Sequence, residues 1–187
     1  VISLEEASKH VVAGKHARYF EDTGNLLSVD DVRKPDVLKK FQVSNSDVLF
    51  LGYGESRYWF TFEIENTSAV ELKRWFELGN SHILDVDYYL FGAGGALLNH
   101  FTYNSSTTID ERVIQHRHFL FPLHLEPGEK VSVYLKISTH VAAYIPFAIW
   151  DSQAMFENES ARKLALGFFL GGMTFLGIYN LFIYFSL

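Results

Sequence analysis

Residues Tyr58 to Asn66 read YWFTFEIEN. Taken as a strand, the run places Tyr58, Phe60, Phe62 and Ile64 on one face and Trp59, Thr61, Glu63 and Glu65 on the other. A period of two is what a strand with one face in a core requires, because successive side chains point to opposite sides of the pleat. Asn66, Thr67 and Ser68 follow, with side chains that hydrogen-bond nearby backbone and so favour a turn. Further strands are predicted at Leu72 to Leu78, Val86 to Phe91, Gln115 to Leu125, Val131 to Ser138 and Ile145 to Trp150. Gly92, Gly94 and Gly95, and then Glu126-Pro127-Gly128-Glu129, supply turn chemistry between them. Many short strands with little helical periodicity favour an all-β, antiparallel β-sandwich over a parallel βαβ fold.

The ends of the chain read differently. Ser3 to Val12 predicts a short helix capped by Ser3, with Glu6 three residues on, and Val29 to Phe41 mixes Asp, Lys and Pro in a way that predicts a wrap around a sheet edge. Residues 1–45 are therefore expected to form a wrapping segment of a sandwich domain spanning residues 1–158. At the other end Leu164 to Leu187 (LALGFFLGGMTFLGIYNLFIYFSL) carries no charged side chain. About 20 apolar residues cross the hydrocarbon of a bilayer, so residues 162–187 are expected to be a transmembrane α-helix. Gly167, Gly171 and Gly172 give it a small-residue face and Asn180 a polar amide, features that suit packing against other membrane helices.

The 187 residues are 48% hydrophobic with 20% charged residues, enough apolar material for one sizeable core and too much for a disordered chain. The net charge of −6, with no run of Lys or Arg longer than two, lacks the basic footprint of a nucleic-acid binder. Cysteine is absent, which removes disulfides, thiolate metal sites and cysteine nucleophiles.

The densest chemistry lies at Glu111 to Pro122, ERVIQHRHFLFP. Read as a strand, Arg117, Phe119, Phe121, Leu123 and Leu125 share the core face, and His116, His118, Leu120, Pro122 and His124 share the other. Two histidines at i and i+2 are about 6.5–7 Å apart along a strand, a spacing zinc-binding strands use. A zinc site needs three or four ligands, and here His82, His100 and His140 would have to converge on the pair, so no metal and no cofactor is expected. The remaining readings are a polar strand face and a ligand-facing surface. The same parity sets Trp59, Trp75, Tyr89, Tyr134 and Trp150 opposite the more continuous apolar faces of their strands. Flat aromatic rings stack on sugars, and Arg112, His116 and His118 offer directional hydrogen bonds, so the eight residues form a candidate ligand-binding set. The alternative for each ring is packing beneath loops or the N-terminal segment. Arg112 either clamps an anionic or polyhydroxyl ligand or pairs with Asp85, Asp87 or Asp110. Asp85 and Asp87 lie on one strand face rather than across a cleft, and no phosphate loop, serine elbow or zinc-protease pattern occurs, so this chain is not expected to be an enzyme.

The order of motifs resembles the periplasmic sensor domain, second extracellular type, of bacterial seven-transmembrane receptors with diverse intracellular signalling modules. The matching pieces are Tyr19-Phe20-Glu21-Asp22, Leu51-Gly52, Trp59-Phe60-Thr61-Phe62, Leu84-Asp85, Tyr88-Tyr89, Arg112-Val113-Ile114 and His116-Arg117-His118 through Leu123. They continue with Glu126-Pro127-Gly128, Tyr134-Leu135-Lys136, Pro146-Phe147-Ala148-Ile149-Trp150, and Gly167, Gly171 and Tyr179-Asn180-Leu181 in the apolar run. Lys136, where such domains often carry Arg, and the turn after Gly92 depart from the pattern. The resemblance implies a jelly-roll-like sandwich similar to carbohydrate-binding modules, with residues 1–160 in the periplasm and the first of seven helices in the bacterial inner membrane. It also implies a cytoplasmic diguanylate cyclase or histidine kinase module beyond Leu187. Charge does not orient the span, because Arg162 and Lys163 stand beside Glu157 and Glu159. The expected function is ligand sensing, with a small polar or carbohydrate-like ligand. The alternative is a protein-interaction or homodimerisation module of the same receptor.

Overall fold

The computed structural model describes residues 1–52, 56–80, 83–104, 106–138 and 142–186. Twelve strands, β1 (Ile2–Leu4), β2 (His10–Val12), β3 (Arg18–Asp22), β4 (Gln42–Val43), β5 (Val48–Leu51), β6 (Arg57–Asn66), β7 (Leu72–Leu78), β8 (Asp85–Gly92), β9 (Leu97–Tyr103), β10 (Phe119–Leu125), β11 (Lys130–Ser138) and β12 (Ala143–Asp151), form two sheets among the described residues. Two short helices, α1 (Val29–Val32) and α2 (Pro35–Leu38), lie between β3 and β4, and a long one, α3 (Ser152–Ser186), follows β12.

The larger sheet runs β4-β3-β6-β11-β8-β9 with β1 added to β6, and the smaller runs β10-β7-β12-β2 with β5 added to β12. All pairs are antiparallel except β1 with β6. Consecutive strands from β6 onward mostly cross from one sheet to the other, the connectivity of a jelly roll. The all-β sandwich with one C-terminal apolar helix is the fold the sequence predicts.

Alternation explains the core. Phe60, Phe62 and Ile64 of β6, Phe76 and Leu78 of β7, Phe121 and Leu123 of β10 and Phe147 and Ile149 of β12 are buried in one cluster between the sheets. Their rings meet edge-on or tilted, with Phe62 4.9 Å from Phe147 and 5.0 Å from Phe76. Each such side chain contributes roughly 1.5–3 kcal/mol by leaving water. Asn66, fully buried at the end of β6, donates its amide to the carbonyls of Val70, Leu125 and Glu126 and accepts from the Ser68 N–H at 2.9 Å. It thereby ties its own turn to the Glu126–Glu129 turn, where Gly128 takes the positive φ of 73° that a side chain would strain.

Three expectations change. Ser3 to Val12 holds no helix: Ile2 and Leu4 enter the core from β1, and Ser8 rather than Ser3 closes the intervening turn by accepting from the Glu5 N–H. The ends of β6 and β12 give Ile2–Leu4 and His10–Val12 three cross-strand partners each, and the pairing places Ile2 and Leu4 in the core, which a short isolated helix would not do. Residues 29–41 fold as α1 and α2, with Ser28 and Asp31 forming a capping box, and lie over the outer face of the larger sheet. β9 arises where no strand was expected, because six of its seven residues retain contact with solvent and its sequence shows no clean alternation.

The sandwich, Val1–Asp151, is one compact unit and Ser152–Leu187 another. The described part of α3 has 35 residues, about 50 Å at 1.5 Å per residue, and its apolar stretch is exposed throughout. It is long and apolar enough to cross a membrane. Thr174 and Ser186 return their hydroxyls to the carbonyls of Leu170 and Phe182, so neither needs an outside partner in lipid.

Candidate functional site

The candidate residues divide between the outer faces of two sheets and do not form one surface. Trp75, Arg112, His116, His118 and Trp150 belong to the smaller sheet and the segment leading into it, while Trp59, Tyr89 and Tyr134 belong to the larger.

On the smaller sheet, β7 alternates so that Phe76 and Leu78 point inward and Trp75 and Glu77 outward. Glu77 lies opposite Leu120 of β10 and Ala148 of β12, and Trp75 lies opposite Pro122 and Trp150. β10 begins at Phe119 rather than Gln115, because its partner β7 ends at Leu78. The histidines are therefore placed by a turn instead of a pleat: the His116 N–H donates to the Ile114 carbonyl at 2.8 Å, and the His118 N–H to His116 Nδ1 at 3.1 Å. His118 Nδ1 then meets Glu77 Oε1 at 2.5 Å, and the Trp150 indole N–H donates to Glu77 Oε2 at 2.6 Å. His10 stacks on Trp150 with centroids 3.9 Å apart. Burial raises the Glu77 carboxyl, but the hydrogen bonds from His118 and Trp150 outweigh it, leaving Glu77 below the ordinary carboxylate value. Arg112 lies over Phe119, its guanidinium carbon 4.2 Å from the ring centroid, and donates to the His116 carbonyl at 3.2 Å. It braces the turn, a role outside the two expected for it.

A zinc site at the histidine pair would require His82, His100 and His140 to converge on it, and the sequence leads to no metal being expected. His82 and His140 lie outside the described residues, and His100 is in the larger sheet, stacked on Tyr89 at 4.3 Å. The group that does arrive is Glu77, 41 residues from His118, and only the pairing of β7 with β10 reveals it.

The larger sheet corrects the aromatic part of the set. Trp59 is 0% exposed and Tyr134 6%, both in a second core with Val32, Phe41 and Phe91, against which Phe20, Leu27, Val29, Val37 and Leu38 pack. These rings supply the apolar floor on which the N-terminal segment packs, which encloses Trp59 and leaves only an edge of Tyr134 at a cleft it shares with Arg33, Phe91 and Ser132. Tyr89 is half-buried beside Trp59.

Further along the same outer face, an open cleft of about 290 Å³ is lined by Arg57, Asp85, Asp87, Thr102, Asn104, Lys136 and Ser138. Strand register puts them there: Lys136 faces Asp87, Asp87 faces Thr102, and Ser138 lies between Asp85 and Arg57. Thr102 donates to Asp87 at 2.8 Å. Burial and the neighbouring Arg57 lower the Lys136 ammonium from its ordinary value, with Asp87 and Asp22 opposing. Arg57, Thr102 and Asn104 are not singled out by the sequence, and Lys136 is marked there only as a departure from the family pattern, because cross-strand register alone brings these segments together.

A family model described as 7TMR-DISM extracellular 2 matches residues 14–151. The chain belongs to that family. No curated protein matches it. Among solved structures, a GH31 alpha-xylosidase from Xanthomonas citri is similar at 15% identity over 72% of this chain, with a TM-score of 0.26. The match covers 16% of the xylosidase. As an extracellular domain of this receptor family followed by a membrane-like helix, the chain is a membrane-anchored protein with an extracellular segment. The 7TMR-DISM extracellular 2 match ends where the sandwich ends, at Asp151, and α3 starts at the next residue.

Proposed function

We propose that the sandwich is the periplasmic ligand-sensing domain of a receptor in a bacterial inner membrane. It binds a small polar, carbohydrate-like ligand in the cleft formed by β6, β11, β8 and β9. Binding biases the arrangement of the membrane helices and so the output of a cytoplasmic diguanylate cyclase or histidine kinase module. The observation that carries this reading is the cleft itself: two cations, two carboxylates and the hydroxyls of Thr102 and Ser138 on four adjacent strands, with Asn104 one residue past the end of β9. Carboxylates and amides hydrogen-bond vicinal hydroxyls, and a ligand shifts a receptor only by its difference in affinity for two states. The test is titration of the full chain in detergent with a panel of mono- and oligosaccharides, beside the Asp87→Asn and Lys136→Met variants. Saturable binding that both variants abolish is expected; a panel with no binder, or binding indifferent to both variants, sinks the reading.

One observation favours an interaction module as the second reading. Phe50 and Tyr144, on the paired strands β5 and β12, are 59% and 67% exposed with rings 5.1 Å apart. An exposed aromatic pair of this kind suits a contact with a second receptor copy. Crosslinking at Phe50→Cys that proceeds without ligand would favour it over ligand sensing.

A further inference from the structure

Outside the cleft, the strongest concentration of donor atoms lies on the opposite sheet. Glu77, His116 and His118 each place one potential ligand atom, a carboxylate oxygen or an imidazole nitrogen, so that all three lie within 4.8 Å of one another. All three residues are partly buried, with the Glu77 and His118 side chains 15% and 20% exposed. We propose that these three residues form a site for a divalent cation of the zinc type, with the remaining coordination position open to water or to an oxygen-bearing ligand. The site is on the other sheet from the cleft and stands without it.

Three features support the assignment. Two imidazoles and a carboxylate are a donor set that suits zinc, which takes four ligands and leaves one position free when the protein supplies three. The carboxylate is already oriented from behind, since the Trp150 indole N–H holds Oε2 at 2.6 Å and leaves Oε1 towards His118. An outer hydrogen bond of this kind is what fixes a metal-binding carboxylate in place. The frame is also firm, because Glu77 and Trp150 stand on central strands of the sheet and the histidine turn is braced by Arg112.

Two further titratable groups flank the cluster. Arg112 is held by the Phe119 ring and the His116 carbonyl, and His10 is stacked on Trp150.

The 2.5 Å contact between His118 Nδ1 and Glu77 Oε1 holds one proton between a nitrogen and an oxygen. A zinc ion takes both lone pairs, at roughly 2.0–2.2 Å each, so the two atoms move apart around the metal and the proton leaves to solvent. His116 Nδ1 has its lone pair on the His118 amide proton. Metal binding either draws that lone pair to the ion or reverses the tautomer so that Nε2 ligates, and in both cases the turn gives up this hydrogen bond.

The experiment is calorimetric titration of the full chain in detergent with zinc alone at neutral pH, repeated in buffers of different ionisation heat. One ion per chain with proton release is expected, lost in His118→Ala and in Glu77→Gln and unchanged in His100→Ala and His124→Ala. Trp150→Phe, which removes the outer hydrogen bond while keeping an aromatic ring beside His10, should weaken binding about 10- to 100-fold. Cobalt(II) added to the unsubstituted chain gives a reading free of folding effects: visible absorption bands of a four-coordinate nitrogen and oxygen site, saturating at one ion per chain. Failure of the unsubstituted chain to take up either metal overturns the site. So does uptake that survives replacement of both His116 and His118 by alanine, or that is lost equally in His100→Ala. None of these outcomes bears on carbohydrate binding in the cleft, which Asp87→Asn and Lys136→Met report.

Discussion

The outer faces of the two sheets start from similar sequence and end differently. Trp59 on β6 and Trp150 on β12 both sit opposite the apolar face of their strand, yet Trp59 is fully buried and Trp150 is half-buried with its indole N–H on Glu77. The first is covered by the segment that carries α1 and α2; the second is flanked by the short strand β2, whose His10 stacks on its ring. An outward-facing aromatic therefore becomes core or site according to what the rest of the chain lays over it. Parity along a strand says which way a ring points and not what it meets.

The sharpest break of this comparison is Trp59→Ala, which should cost about 3–5 kcal/mol in chemical denaturation of the full chain, as expected for a fully enclosed ring. A loss under about 1 kcal/mol would mean that α1 and α2 do not pack on it in solution.

Next is Asp151→Ala at the end of β12. Asp151 Oδ2 accepts from Arg74 at 2.6 Å, and Arg74, 5% exposed, also donates to the Glu6 carbonyl. Stranding a buried guanidinium costs roughly 3 kcal/mol, reduced here by the partial exposure of Asp151. Arg74→Met together with Asp151→Leu should recover most of it, since a buried pair is replaceable by apolar groups.

Trp150→Phe should cost less, about 1–2 kcal/mol, by leaving Glu77 Oε2 without its donor. Comparing it with Trp59→Ala in the same denaturant series isolates the difference between a packed ring and a hydrogen-bonded one.

The smallest effect concerns the cover itself. Lys34 and Ser28 hold the Asp31 carboxyl well below its usual 3.8 through hydrogen bonds. A depressed carboxylate contributes stability that is fully present above its unfolded value and lost as pH falls through the folded one. Acidification below about 3.8 should therefore loosen the start of α1 before the sheets open, seen as faster hydrogen exchange at the Asp31 amide. Simultaneous loss of protection in α1 and β6 would contradict this.

Much of the sandwich is legible in the sequence for a local reason. β6, β7, β8, β11 and β12 each carry alternation strong enough to identify them alone, and the turns at Asn66 and at Glu126–Glu129 are marked by residues suited to them. β1, β2 and β9 are illegible for the complementary reason. They are short or peripheral strands whose pairing is decided by an open edge elsewhere, and Ser3 to Val12 carries a helix-like cap that no helix uses.

For the candidate sites the division is sharper. The sequence by itself determined that His116 and His118 would be near neighbours, that several aromatics would face outward from the sheets, and that the C-terminal run is long and apolar enough to cross a bilayer. Only the tertiary structure decided that Glu77 meets His118, that Lys136 meets Asp87, and that Trp59 and Tyr134 disappear beneath residues 27–41. Side-chain direction is a local property with a fixed period. Cross-strand company is set by register between segments dozens of residues apart, and no single segment encodes it.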